Sequence, residues 1–302
     1  MIVRREHLSK YPTVFRSLTG LTVTAFDQML PGLLEAFDTD RRRRLDRPDR
    51  RRAFGGGDAF DLAPADQFLL TIVWLRQYPT QEALGYLFGA SDSTALRAIR
   101  RCLPLLEAQG RDSMRLPDPG KYQRKALPAL LRDTPGLAVV VDTFEQRVQR
   151  PKRRQRAYYS GKKKAHTLKS QVTVDEDGNV VHVGPSRPGC WADLKVLKRS
   201  GLKGRLPKGV GALGDLAYVG VADWHPEGLG ATPRRKPRGR PRPAADRCYN
   251  RAFARRRLVV EHTLARLRRY QAVTAVDRHR RRQHTARVRA VAGLINRMHT
   301  HS

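Results

Sequence analysis

Five consecutive apolar residues, Leu137-Ala138-Val139-Val140-Val141, run directly into Asp142. A short, β-branched apolar run of this kind reads as a buried strand. The segments after it keep to the same class. Thr167–Val174 is a second strand, Asp175-Glu176-Asp177-Gly178-Asn179 a hairpin turn, and Val180–Val183 a third strand. Asp193 to Ser200 then predicts a helix, Val210–Leu213 a fourth strand, and Arg255–Tyr270 a long helix. Thr285–His299 is one more amphipathic helix, rich in Arg.

Strand, hairpin strands, helix, strand and closing helix is the order expected of a ribonuclease-H-like α/β domain, a mixed sheet flanked by helices. The chain before it is all-α. Residues 22–38 predict a helix opened by Thr22 or Thr24, with Phe26, Leu30, Leu33, Leu34 and Phe37 on one side. Arg41–Arg44, Arg50–Arg52 and Gly55-Gly56-Gly57 read as a solvated basic linker. Three helical pieces follow: Ala65–Gln77, Gln81–Phe88, and a third that starts at Ser91 or Ser93 and continues to about Gly110. The break "LFGASDST" has the shape of a helix-turn-helix, with Gly89 at the turn. Arg97, Arg100 and Arg101 fall on or beside the exposed face of its second helix. An ordinary three-helix bundle with a basic surface fits the same spacing. The division expected is therefore 1–62, an N-terminal helix and linker; 63–112, a helix-turn-helix domain; and 135–300, the α/β domain.

The charge balance favours the DNA-reading version. Sixty Lys and Arg face 28 Asp and Glu, a formal charge of +32, which calls for a polyanionic partner, nucleic acid first. Arg dominates, and Arg forks onto phosphate oxygens or enters a narrow minor groove. A nucleotide-composition bias explains some of the Arg-for-Lys preference but not the net excess. Cys102, Cys190 and Cys248 form no CxxC pair, so neither a disulfide framework nor structural zinc is expected, in keeping with a reducing compartment. No apolar run approaches the length of a membrane span, and no membrane partner is expected.

In so basic a chain three acids stand out: Asp142 at the end of the first strand, Asp215 just after the fourth, and Glu261 within the long helix. Two strand-end aspartates and a helical glutamate are the materials of a two-metal phosphodiester site, because hard divalent cations take oxygen ligands. Taken alone, an Asp after a strand is as often a turn or helix cap. Arg257, Glu261, Leu264 and Arg268 recur at helical spacing and form one stripe. Surface ion pairs would give the same spacing, but Arg before Glu is the weaker order against the helix dipole. Leu258, Val259, Val260, Leu264 and Leu267 predict that much of this helix is buried, with the arginines free to hold DNA phosphates.

The blocks "VVVDTFEQRVQRPKRRQRAYYSGKKKAHTLKSQV", "GDLAYVG" and "NRAFARRRLVVEHTLARLRRY" resemble the catalytic blocks of DDE transposases of the insertion-sequence-five group. Residues 63–105 resemble that group's N-terminal helix-turn-helix, and the likeness covers roughly residues 60–298. It implies Asp142, Asp215 and Glu261 as the catalytic, metal-binding triad for two Mg²⁺ or Mn²⁺ ions. Arg257 matches the family's arginine before the glutamate, and Arg268 stands where Lys is usual. The resemblance implies cleavage of double-stranded DNA at an element's terminal inverted repeats and strand transfer into target DNA. It also implies a homodimer or higher oligomer on DNA, in the cytoplasm of a bacterium, in association with the nucleoid. Two other readings are an inactive or domesticated DNA-binding protein of the same fold, and a metal-dependent endonuclease without strand transfer. The chain departs from the family at Thr143-Phe144, where Ala-Thr or Gly-Thr is usual, at Ala192 where a His before Asp193 is common, and at Leu216 where Lys is frequent. Asp193 is read as a helix cap.

Further basic segments surround these blocks. Arg150-Pro151-Lys152-Arg153-Arg154 and Lys162-Lys163-Lys164 are candidate phosphate contacts, or solvated loop charges. Tyr158 and Tyr159 suit either base stacking or strand packing. Lys236 to Pro243 contains Pro-Arg-Gly-Arg-Pro, which resembles an AT-hook whose Arg238 and Arg240 enter an A·T-rich minor groove; a Pro-rich basic connector fits as well. His166, His262, His279 and His284 show no zinc spacing; most histidines are expected at surfaces or interfaces, with His166 near the metals.

Overall fold

The computed structural model describes residues 3–46, 61–121 and 127–300. The chain divides into two compact units. One comprises residues 1–112 with 269–273 and 289–302; the other comprises 113–268 with 274–288. The sequence-based division drew its borders at other points, separating 1–62 from 63–112 and keeping the chain's end with the α/β part.

The first unit is helical: α1 Arg5–Leu8, α2 Pro12–Thr19, α3 Val23–Leu45, α4 Pro64–Gln77, α5 Gln81–Phe88 and α6 Asp92–Asp112. Local chemistry sets these bounds. Thr22 accepts the Ala25 N–H and opens α3, and Pro12 and Pro64 begin their helices where a missing N–H costs nothing. α4 is the unit's core: every residue from Asp66 to Leu75 is buried, and α2, α3 and α6 pack around it. Arg41–Arg44, expected in a linker, continue α3 instead. Asp40 pairs with Arg43 at 2.8 Å and with Arg44 at 2.7 Å, and cations near a helix C-terminus complement its dipole. Arg50–Arg52 and Gly55–Gly57 lie outside the described residues.

α5 and α6 meet at a tight turn. Gly89 takes φ 57°, the Ser91 hydroxyl accepts the Thr94 N–H at 3.1 Å, and a side chain on Gly85 would come within 2.6 Å of the Ala90 carbonyl.

The second unit contains β1 Leu137–Arg147, α7 Gln155–Tyr158, β2 Tyr159–Ser160, β3 Ala165–Val174, β4 Val180–Val183, β5 Arg187–Pro188, α8 Asp193–Lys198, β6 Val210–Leu213, α9 Val221–Trp224, β7 Gly230–Ala231 and α10 Ala244–Arg268. Helix α11, His284–Thr300, starts here, and its residues from 289 onward belong to the first unit. The strands form one sheet in the order β2-β3-β1-β6-β7, with β4 and β5 also pairing β3. β1 runs antiparallel to β3 and parallel to β6. This is the ribonuclease-H-like mixed sheet that the sequence order predicts. Leu137, Val139 and Val141 belong to a core with Leu197, Tyr218 and Trp224 from the elements after the hairpin; α10 packs against β1 and β3.

Two elements are longer than the apolar pattern suggests. β1 continues to Arg147 because its ladder with β3 runs on to the Arg147–Thr167 pair. α10 starts at Ala244, since Tyr249 and Phe253 extend the buried stripe of Val260, Leu264 and Leu267 by two more turns.

Candidate active site

Strand pairing brings the two aspartates level. In the parallel β1–β6 ladder Val140 stands opposite Leu213, and Asp142 and Asp215 each lie two residues further on. Strand alternation then parts neighbouring side chains. Asp142 faces the Arg257 guanidinium of α10 at 3.8 Å, while the Thr143 hydroxyl donates to Asp193 Oδ1 of α8 at 2.8 Å. Asp215 accepts the Ala217 N–H at 2.8 Å and so also caps the turn that follows it.

Glu261 joins through the same arginine: Arg257 lies 3.7 Å from its Oε1. The glutamate stands at the margin of α10, 52% exposed. Leu258, expected to help bury this helix, is 49% exposed instead. The buried stripe follows Val260, Leu264 and Leu267, and Leu258 points away from it.

Electrostatics mark the three acids as one group. Burial pushes the Asp142 carboxyl up to about 6; the Thr143 N–H and Arg257 oppose this, and the charges of Asp215 and Glu261 reinforce it. Among the described residues no three His, Cys, Asp or Glu side chains are drawn together as tightly as around a bound ion. The donor set nonetheless fits a hard divalent cation in kind: three carboxylates, with one guanidinium between two of them. The buried Nε of Arg257 has no hydrogen-bond partner.

Other expected site residues fall in three places. Lys162, Lys163 and Arg268 line one cavity of about 220 Å³ together with Thr143, Glu145 and Asp193. Lys164 is exposed beside them in the turn before β3, at φ 49°. Arg97 and Arg100 are exposed on α6 of the first unit, while Arg101 turns inward to Phe37 and Gln67. Arg238 and Arg240 are exposed in the loop before α10, which bends at Gly239 with φ 71°. Tyr159 pairs with His166 across β2 and β3, and Arg281 covers the Tyr158 ring.

Sequence reasoning missed a buried cluster. Lys169 Nζ lies 2.7 Å from Asp193 Oδ1 and 3.5 Å from Glu145 Oε1. Asp193 is not the helix cap it was read as: Ala192 holds that position, without a side-chain bond. The Glu145–Lys169 register pair became visible only once β1 was known to run past Asp142. Tyr218 is buried beside the group, its hydroxyl pKa raised by burial and by Asp142, Asp193 and Asp215. His284, one of the histidines of which most were expected at surfaces or interfaces, is fully buried.

The ribonuclease-H-like sheet thus carries Asp142 within β1 and Asp215 just past β6, beside Glu261 of α10, and comparison with known proteins gives the class. The family described as DDE superfamily endonuclease matches residues 141–296. The helix-turn-helix of DDE superfamily endonuclease matches residues 60–112. The chain belongs to the DDE superfamily endonucleases. It is 28% identical, over 93% of each chain, to the "Probable transposase for insertion sequence element IS702" of Microchaete diplosiphon. It is 25% identical, over 68% of its own length and 58% of the other's, to the "Putative nuclease HARBI1" of Mus musculus. No solved structure matches it. Among the described residues no helix is long and apolar enough to cross a membrane.

Proposed function

We propose that the protein is a transposase that binds the terminal inverted repeats of an insertion sequence, cleaves DNA there and joins the freed end to target DNA. The observation that carries this reading is the parallel β1–β6 register, which sets Asp142 within β1 level with Asp215 just past the end of β6, with Glu261 tied to Asp142 through Arg257. Asp142, Asp215 and Glu261 would hold two Mg²⁺ or Mn²⁺ ions, which when bound supply positive charge at the phosphodiester and favour ionisation of the attacking hydroxyl.

The chain's own residues do the rest. Arg257 balances Asp142 and Glu261 and keeps the first strand and α10 in step. Lys162, Lys163, Lys164 and Arg268 bind backbone phosphates beside β1 and so fix the register of the DNA on the acids. Arg97 and Arg100 present the helix-turn-helix of residues 63–112 to the repeats, and residues 135–300 act as the catalytic domain. Arg238 and Arg240 add grip in a narrow minor groove. No covalent protein–DNA intermediate is needed, so no Ser, Tyr or Cys nucleophile is assigned. A homodimer or higher oligomer on DNA, close to the nucleoid, completes the reading.

The likeness to a protein named as a nuclease favours a second reading, an endonuclease without joining. An assay on DNA carrying the element's ends, with and without Mg²⁺, separates the possibilities. Nicking followed by joined products supports transposition, and nicking without joining supports the nuclease. Absence of both sinks the enzymatic reading and leaves a DNA-binding protein.

A further inference from the structure

The second unit holds a buried cation that the proposed reaction does not use. Lys169 stands in β3 opposite Glu145 of β1, and its side chain is only 9% exposed. Its ammonium reaches Asp193 Oδ1 at 2.7 Å, the Trp191 carbonyl at 2.8 Å and Glu145 Oε1 at 3.5 Å. Two of these are hydrogen bonds, to Asp193 and to the Trp191 carbonyl, and the third is an ion pair with Glu145. The remaining Glu145 oxygen accepts the Thr167 hydroxyl at 2.7 Å. Asp193 Oδ1 also accepts the Thr143 hydroxyl at 2.8 Å, and the Thr143 N–H donates to Asp142 Oδ1 at 2.7 Å. One continuous path therefore runs from Lys169 through Asp193 and Thr143 to Asp142.

Location gives this path a role beyond packing. Glu145 and Asp193 line the cavity that adjoins Thr143. The buried ammonium neutralises both carboxylates from within the protein and holds Asp193 where the Thr143 hydroxyl donates to it. Partners of this outer kind set the orientation of metal ligands.

We propose that Lys169 is a positioning residue, the resident counter-ion of Glu145 and Asp193, which through Thr143 fixes the carboxylate of Asp142 for divalent-ion binding. The inference rests on the reading that Asp142, Asp215 and Glu261 hold such ions.

Mn²⁺ binding to the full chain, followed by titration calorimetry, tests it without reference to turnover. Lys169→Met and Asp193→Asn should each weaken Mn²⁺ binding by roughly 10- to 100-fold. The double variant should lose no more than the worse single, because the two act along one path. Wild-type affinity in Lys169→Met, or losses that add, would overturn the proposal. Thr143→Val leaves the ammonium and both carboxylates in place and cuts only the relay. It should lose most of the same affinity, and it decides the matter if Lys169→Met does not fold; unchanged affinity in it also overturns the proposal. Wild-type protein that binds no Mn²⁺ would bring down the metal-site reading itself, a result distinct from a silent Lys169→Met.

Discussion

Two buried polar clusters in the second unit treat their charges in opposite ways. Around His284 each ring nitrogen has a partner: Nε2 meets Gln146 Oε1 at 2.7 Å and Nδ1 meets Ser186 Oγ at 2.8 Å. The Gln146 amide nitrogen donates to the Ala275 carbonyl, which turns its oxygen to the ring and places the His284 proton on Nε2. Burial, reinforced by Arg287 and opposed by Asp277, holds this imidazole down to about 3, so it is neutral and at rest. Around Asp142 burial acts on an acid and drives it up to about 6, and the neighbouring carboxylates add to the strain. The first cluster answers its own polar groups and so secures the start of α11. The second leaves like charges facing one another, with one guanidinium between two of them.

The largest test of this contrast is catalytic. Asp142→Asn or Asp215→Asn should cut the rate of DNA nicking by about a thousandfold or more, measured on supercoiled DNA, while the circular dichroism spectrum stays native. Normal nicking by either variant would break the assignment.

Replacing His284 reverses the pattern. His284→Leu removes the ring partner of Gln146 Oε1 and one of the partners of Ser186 Oγ and should cost about 3 kcal/mol, a fall of several degrees in Tm. Nicking below the transition should persist, because the ring lies outside the acid cluster. A lost activity with an unchanged Tm would erase the distinction between the two clusters.

Acid titration separates them by sign. The folded-state pKa of His284 lies below its ordinary value of 6.5, so its contribution is intact above pH 6.5 and is lost as pH falls toward 3. The folded-state pKa of Asp142 lies above its ordinary value of 3.8, so its ionised form weakens the fold above pH 6 and relaxes between 6 and 4. Asp142→Asn should therefore gain about 2 kcal/mol at pH 7.5 and nothing at pH 4. Equal unfolding curves at both pH values would show that the carboxylate carries no such penalty.

The smallest effect concerns the exposed loop before α10. Arg238→Ala with Arg240→Ala should flatten the dependence of log affinity on log salt by roughly two, measured by fluorescence anisotropy on A·T-rich duplexes. An unchanged slope would reduce this loop to a connector.

Much of this was legible in the sequence because it rests on local chemistry. The run into Asp142, the hairpin turn at Gly178, and the strand Val210–Leu213 all carry short-range signals and stand where their spacing places them. Thr22 opens its helix for the same reason. What stayed hidden depends on partners distant in the chain. Lys169 reads as one more basic residue until β3 lies beside β1. Arg41–Arg44 are an exception, since their partner Asp40 is local: the run of like charge hides the i,i+3 and i,i+4 pairs that fit it to the end of a helix. Leu258 counts as core on any hydropathy scale, and only the docked face of α10 shows that it is not.

The pairing of Val140 with Leu213 also bears on how this site survives change. It keeps Asp142 and Asp215 level without reference to the length of chain between them. Insertions in the hairpin turn, or in the segment between α8 and β6, can accumulate without parting the two acids. One residue gained or lost inside β6 would turn Asp215 to the opposite face. Descendants of this chain are thus free to vary in the distance between their acids along the sequence, and are held to constant strand lengths just before them.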